Sequence, residues 1–448
     1  MQNPSPPAPL PGVPGRGETE REDSPPGSYG LNQQPAYDWL ESQHSEMIAD
    51  LIALSNQNSG SQNLAGLIGV ANWLSDWAKL SPATLQRIEL PTRTSVDDNG
   101  HVVTVATGPA LSWSFQPQAA RRVLLMIHYD TVFDPEYAFQ TCQQLSPTVL
   151  RGPGVADAKG GIVVLRYALQ ALLKFGLAAD LGWTVLLNPD EEVGSLSSAE
   201  LLQELAPQYD FGLLFEPALP DGAMISERKG SGNFSFTVRG QAAHAGRYFD
   251  NGRNAVAELS RIVAAVDALN GQRAESTINV GYVRGGGPVN IVPDLAIARL
   301  NARVPDANSA TWFEDQLQQL VQATTARDGF ICELHGSFTS PPKRINAAQQ
   351  ALMGVIEASS AKLNLPPVKW QYTGGVCDGN KLAAAGLPNI DTLGPRGDGL
   401  HSSQESVQLD SLLEKAKLLV EVLCGFASGE FDSLLRHKQR QRWVPPIN

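Results

Sequence analysis

Cysteine is scarce in this chain of 448 residues. There are four, Cys142, Cys332, Cys377 and Cys424, and no two form a Cys-x-x-Cys pair. That pattern excludes a disulfide framework and reads as free thiols in a reducing compartment. Positive charge is also short: 34 Lys and Arg stand against 46 Asp and Glu, for a net charge of −12 and an isoelectric point near 5.1. The balance argues against a nucleic-acid partner, because phosphate backbones are bound by basic surfaces. No run of about 18 apolar residues is present, so no membrane helix is expected. The N-terminus shows no basic stretch followed by an apolar one, so no secretory signal is visible and a cytoplasmic location is expected. With 42% hydrophobic and 18% charged residues the chain can bury a core. Its length suggests two domains, or one large domain with an insertion.

Proline, by contrast, is gathered at the front. Residues 1–36 hold nine of the 31 prolines and almost no large apolar side chain, the composition of a flexible or polyproline-like tail. Helical spacing begins in "AYDWLESQHSEMIADLIALSN", through Trp39, Leu40, Met47, Ile48, Leu51 and Leu54, and again in "LAGLIGVANWLSDWAKL". Strand-like runs follow: "HVVTVAT", "LSWSF" and "RRVLLMIHYD". Ile162, Leu165, Ala168, Leu169, Leu172 and Leu173 mark an amphipathic helix that Gly176 should stop. The texture changes after Arg228. "GNFSFTVRGQAAHAG", "STINVGYVRGG", "LAIARLNARVP" and "FICELHGSF" alternate like half-exposed strands, with helices expected near 252–269 and 308–326. Residues 228–339 therefore read as an inserted α+β unit of four strands and two helices. The tail "RHKQRQRWVPPIN" reads as a basic solvated end.

Three buried strands, at 123–128, 183–188 and 212–215, run straight into a histidine or acids. This is an α/β pattern with a site along the C-terminal edge of the strands. The segment "NPDEEVGS" poses the question most sharply, since Asp190, Glu191 and Glu192 would repel one another without a positive centre among them. A solvated acidic turn before a helix is the plainer alternative. Collected from strand ends and glycine-rich loops, His128, Asp130, Asp157, Glu191, Glu192, Glu216 and His401 supply imidazoles and carboxylates without thiolates. That set suits zinc in a hydrolytic site and is large enough for two ions. One carboxylate must bridge if the ions sit ~3.5–4 Å apart.

The ordered segments "MIHYDTVF", "GPGVADAKGG", "NPDEEVGS", "LLFEPA", "QAAHAG" and "GDGLHSSQES" resemble the motif set of the co-catalytic zinc exopeptidases related to bacterial glutamate carboxypeptidase. That family also contains aminoacylases, acetylornithine deacetylases, succinyl-diaminopimelate desuccinylases and dipeptidases. The likeness runs from about residue 45 to 428, in order. It implies a mixed-sheet α/β catalytic zinc domain, 37–227 and 340–430, with 228–339 as a lid or dimerisation domain and 431–448 as a basic tail.

The resemblance also implies roles. His128, Asp157, Glu192, Glu216 and His401 would bind two zinc ions, which cobalt or manganese can replace, with Asp157 bridging and preceding a cis peptide bond at Ala158. Ala158 departs from the polar residue or methionine usual in relatives. Asp130 would orient His128, Glu191 would be the general base, and His244 would stabilise an oxyanion, reaching a partner's site across a homodimer. Asn290 and Arg303 match positions that hold a substrate carboxylate, and Gly374 and Gly375 would add backbone N–H donors. Cys377 stands where relatives commonly carry serine and is not expected to be a nucleophile. The implied function is zinc-dependent hydrolysis of a peptide or N-acyl amide bond next to a free carboxylate, with aminoacylase, deacetylase or dipeptidase chemistry as alternatives. A catalytically dead binding protein on the same fold is the competing class, and the intact Glu191 speaks against it.

Overall fold

The structure, a computed structural model, describes residues 32–432. The basic tail from residue 433 and the proline-rich segment up to residue 31 lie outside the described residues. Helix Gln34–Ser42 opens the fold with Pro35 in its first turn, where a missing N–H costs nothing, so the expected tail is shorter than 36 residues. The single helical pattern expected over 36–56 is two helices, Gln34–Ser42 and His44–Ser55.

Six strands form the main sheet, in the order Thr84–Ile88, Ala110–Phe115, Gly182–Asn188, Arg122–His128, Phe211–Leu214, Asn389–Ile390. The last four are parallel to one another, and the first two run antiparallel at one edge. From the central strand Arg122–His128 the chain adds Gly182–Asn188 on one side, then crosses to add Phe211–Leu214 on the other. That reversal opens a crevice at the C-terminal ends of the strands. The run "VLLMI" is continuously apolar because both faces are covered. Val123, Leu125 and Ile127 join one core with helices Lys159–Lys174 and Asp410–Ser428, while Leu124 and Met126 join another with Leu202 and Leu382. Truncating one such leucine to alanine costs about 2–5 kcal/mol. Helix Lys159–Lys174 lies close on the sheet, since a Cβ on Gly161 would come 2.2 Å from the Phe215 carbonyl oxygen. Strands Thr84–Ile88 and Arg93–Val96 escape the sequence reading because they carry no apolar run; the first is largely exposed.

The second sheet is fully antiparallel, ordered Thr277–Gly285, Leu295–Val304, Gly230–Arg239, Ile331–Ser340. Helices Ala255–Asp267 and Ala307–Thr325 cover one face. Along Leu295–Val304 the side chains of Ala296, Ala298, Leu300 and Ala302 pack into this helix-side core. Ile297, Arg299, Asn301 and Arg303 therefore point from the opposite face. The chain enters this sheet after Arg228 and leaves it before Lys343. The two residues pair backbone to backbone in both directions, at 2.9 and 3.0 Å.

Candidate metal centre

His128 ends the central strand and is buried. Its Nδ1 faces the Asp130 carbonyl oxygen at 3.0 Å and the Asp130 Oδ1 at 3.2 Å, so this nitrogen carries the proton. Nε2 turns into the crevice, 3.1 Å from Asp157 Oδ1 and 3.6 Å from Glu216 Oε2. Asp130 is fully buried and does more than orient the ring. It accepts the Glu191 N–H at 3.1 Å, the Glu192 N–H at 3.2 Å and the Ser61 hydroxyl at 2.7 Å. One carboxylate thus fixes the histidine and the turn carrying both glutamates.

Asp157 lies between two groups. Its Oδ1 faces His128, and its Oδ2 lies 3.2 Å from His401 Nε2, which is also 3.2 Å from Glu192 Oε2. The loop holding Asp157 is gripped from behind by Glu405, which accepts the N–H groups of Gly154, Ala156 and Asp157 at 3.2, 3.0 and 3.0 Å. The Asp157–Ala158 peptide is cis. His401 adopts φ 60°, the left-handed region that non-glycine residues enter at a cost of about 1–2 kcal/mol. Donor atoms of His128, Asp157 and Glu192 all lie within 4.8 Å of one another. Glu192 Oε1 is buried without a hydrogen-bond partner. An orphaned carboxylate oxygen among imidazole and carboxylate donors is what a hard or borderline cation would satisfy, so these residues fit divalent metal.

The electrostatics agree. Burial pushes the Glu192 carboxyl up to about 7, with the Asp157 charge adding to the shift and His401 opposing it. Burial likewise raises Glu191 well above the usual carboxylate range, against the pull of His128, and Glu216 and Glu192 add to the rise. Hydrogen bonds donated to Asp157 and Glu192 raise His401 to about 11. Burial would lower His128, but Glu216, Asp130 and Asp157 outweigh it and hold the imidazole above its ordinary value. Four carboxylates, Asp157, Glu191, Glu192 and Glu216, crowd one crevice and call for positive charge, while the third acid of the triplet, Asp190, is taken up by the Ser197 and Ser198 N–H groups and the Ser198 hydroxyl.

The remaining candidates lie around this cluster. Arg303 projects from the inserted sheet with its guanidinium in the field of Glu191; Nε donates to Asn301 Oδ1 at 2.8 Å and Nη1 to the Gly374 carbonyl at 3.4 Å. Gly374 and Gly375 present carbonyls to Arg303 and Arg228, and the Gly375 N–H is taken by the Thr373 hydroxyl at 3.2 Å. A Cβ at either glycine would meet only ordinary contacts. His244 and Asn290 are exposed neighbours on one two-stranded ribbon, with the Ala245 N–H donating to the Asn290 carbonyl at 2.9 Å. His244 accepts the Gly246 N–H on Nδ1 at 3.1 Å. Cys377 is buried and its thiol is raised well above its usual value by burial, which leaves no thiolate. Sequence reasoning missed Glu405, although it stands four residues after His401. It also missed Asp378, which accepts from the Ser195 hydroxyl and from Asn188 Nδ2 and so braces the end of the acidic turn.

The sequence pattern of peptidase family M20/M25/M40 matches residues 124–424. The chain is 26% identical over 392 residues to carboxypeptidase G2 of Pseudomonas sp. (strain RS-16), covering 86% of this chain and 90% of that protein. It is 26% identical over 337 residues to a succinyl-diaminopimelate desuccinylase of Alkalilimnicola ehrlichii, covering 72% and 82%. Among solved structures, a dipeptidase of Saccharomyces cerevisiae superposes with a TM-score of 0.70 at 12% identity, covering 88% of this chain and 98% of that one. A metallo-carboxypeptidase of Sulfolobus solfataricus gives 0.68 at 17%, covering 85% and 99%.

Proposed function

The chain belongs to peptidase family M20/M25/M40, a family of metal-dependent peptidases and amidohydrolases, and we propose that it hydrolyses a peptide or N-acyl amide bond whose neighbour is a free carboxylate, using two zinc ions. The observation that carries this reading is Asp157 placed between two donor pairs, His128 with Glu216 and Glu192 with His401. Zinc held there would supply Lewis acidity to the amide carbonyl and ease the loss of a proton from water.

The rest falls to the protein. Glu191 accepts the proton of the attacking water on a carboxylate oxygen and returns it to the leaving amine nitrogen. Its carboxyl is pushed up by burial, and cations in the crevice would draw it back into the range of a base. Asp130 holds the Glu191 and Glu192 amides, so base and ligand keep their spacing through turnover. Arg303 offers a planar fork to the substrate carboxylate from the opposite wall, with Asn290 nearby in sequence. His244 would donate to the developing oxyanion of a second protomer. The exposed Tyr248, Phe249, Val289 and Ile291 beside it support a homodimer interface on the inserted unit.

The likeness to carboxypeptidase G2 over 86% of the chain supports a carboxypeptidase-like reaction. The test compares hydrolysis of an N-acyl amino acid with that of its C-terminal amide, before and after Arg303→Ala. The free acid should be much the better substrate, and Arg303→Ala should erase most of the preference. Equal rates on acid and amide with the unaltered protein would defeat the carboxylate reading.

A further inference from the structure

The inserted sheet is held at both ends, by different physics. At the linker end a buried aspartate pins the two crossing segments. Asp391 receives Arg228 Nε at 2.8 Å and Nη2 at 2.9 Å, together with Lys343 Nζ at 2.8 Å. At the far end a hairpin of the main domain, Arg93–Val96 with Val102–Val105, lays its tip across the sheet. Arg299 Nη2 donates to Asp98 Oδ1 at 2.7 Å and to the Val96 carbonyl at 2.9 Å, and Arg284 Nη1 pairs with Asp98 Oδ2. Arg239 Nη2 donates to the Gly100 carbonyl at 2.7 Å. Three strands thus each send one arginine to the hairpin, where Val96, Asp98 and Gly100 receive them.

The receiving face is built for this contact. Arg299 stacks on Tyr282, 4.4 Å from the ring centroid. A bulge between Val280 and Tyr282 inserts Gly281 and turns Tyr282 and Arg284 to the face that carries Arg299. Gly100 has φ 72°, and a Cβ there would come 2.6 Å from Thr237 and 3.0 Å from Arg239, so glycine lets the tip lie flat.

Arg299 and Arg303 share one strand and one face, four residues or about 13 Å apart. We propose that Asp98 is a positioning residue: through Arg299 it holds the strand carrying Arg303 at the angle that sets the Arg303 guanidinium against the Gly374 carbonyl. The linker pin is buried and insulated from salt. The strap is exposed, with side chains 34–55% accessible, so salt screens it. It is a releasable brace on an otherwise fixed hinge. The effect on turnover rests on the reading of Arg303 given above; the effect on the hairpin does not.

The test uses the full-length, zinc-loaded protein, with Asp98→Asn to remove charge at constant size and Asp98→Glu to retain it. Hydrogen exchange is read over the hairpin and over both linkers, and kcat and KM are measured for an N-acyl amino acid at low and high salt. Asp98→Asn should speed hairpin exchange and raise KM about fivefold at low salt, the scale of an exposed ion-pair network, with kcat and linker exchange little changed. High salt should speed hairpin exchange in the unaltered protein and add nothing to the exchange of Asp98→Asn, and Asp98→Glu should restore both exchange and KM. Unchanged exchange in Asp98→Asn, or a change that ignores salt, overturns the strap. Faster hairpin exchange without any KM effect overturns its positioning role. If no acyl-amino acid is cleaved at all, the exchange result still decides the strap, and it is the substrate reading that fails.

Discussion

The two sheets hold their polar residues in opposite ways. Beside the main sheet the supporting acids are buried and tied more than once: Asp130 serves His128, Ser61, Glu191 and Glu192, and Glu405 takes three amides of the Asp157 loop. In the inserted unit Arg303 is half-buried on the sheet, and His244 and Asn290 are exposed on the separate ribbon with few ties. The supports of the candidate metal centre thus lie in the buried wall, and the proposed substrate contacts on the more exposed one. Preorganised groups help most where charge develops, and adaptable ones where a ligand must enter and leave.

The comparison can be broken at its rigid side first. Asp157→Ala should remove both metal and activity, with turnover at the assay floor and far-ultraviolet dichroism retained; metal analysis checks the first part. Glu191→Gln keeps the shape of the side chain and removes the basic oxygen. It should leave the zinc content unchanged and lower kcat about 10³-fold, within the range for a lost general base. Near-normal turnover would take the base away from Glu191.

The same contrast governs what could be read from sequence. The parallel strands were legible because burial on both faces demands unbroken apolar runs, and the acids that end them stand out against those runs. The inserted sheet was legible through its alternation. Single edge strands such as Thr84–Ile88 were not, since an exposed edge imposes no pattern. Nor were the supports. Asp391, Arg228 and Lys343 lie far apart in the chain, and no local spacing says that one carboxylate will meet two cations from different linkers. Asp98 reads as a turn residue, and its arginines come from strands 186 and 201 positions later.

The buried pin and the inserted sheet give two smaller effects. Asp391→Asn should cost about 3–5 kcal/mol, the usual loss when one partner of a buried ion cluster is removed. Burial alone would raise the Asp391 carboxyl, but Arg228 and Lys343 outweigh it and hold it well below the usual carboxylate range. Its folded value lies below the unfolded one, so its stabilisation is present above about pH 4 and fades as pH falls further. Thermal unfolding of Asp391→Asn and the unaltered protein should therefore differ most near neutrality and converge in acid. A gap that widens in acid would contradict the pin. Arg303→Lys should lower kcat/KM about tenfold, because a point charge keeps attraction but loses the fork; steady-state kinetics on the free acid reads it.

The central claim is that Asp157 lies between two metal ions. Its most direct test is a crystal of the zinc-loaded protein measured at the zinc absorption edge. The account predicts two anomalous peaks about 3.5–4 Å apart, flanking the Asp157 carboxylate, one beside His128 and Glu216 and the other beside Glu192 and His401. No peak at Asp157, with hydrolysis unchanged after chelation, would contradict it.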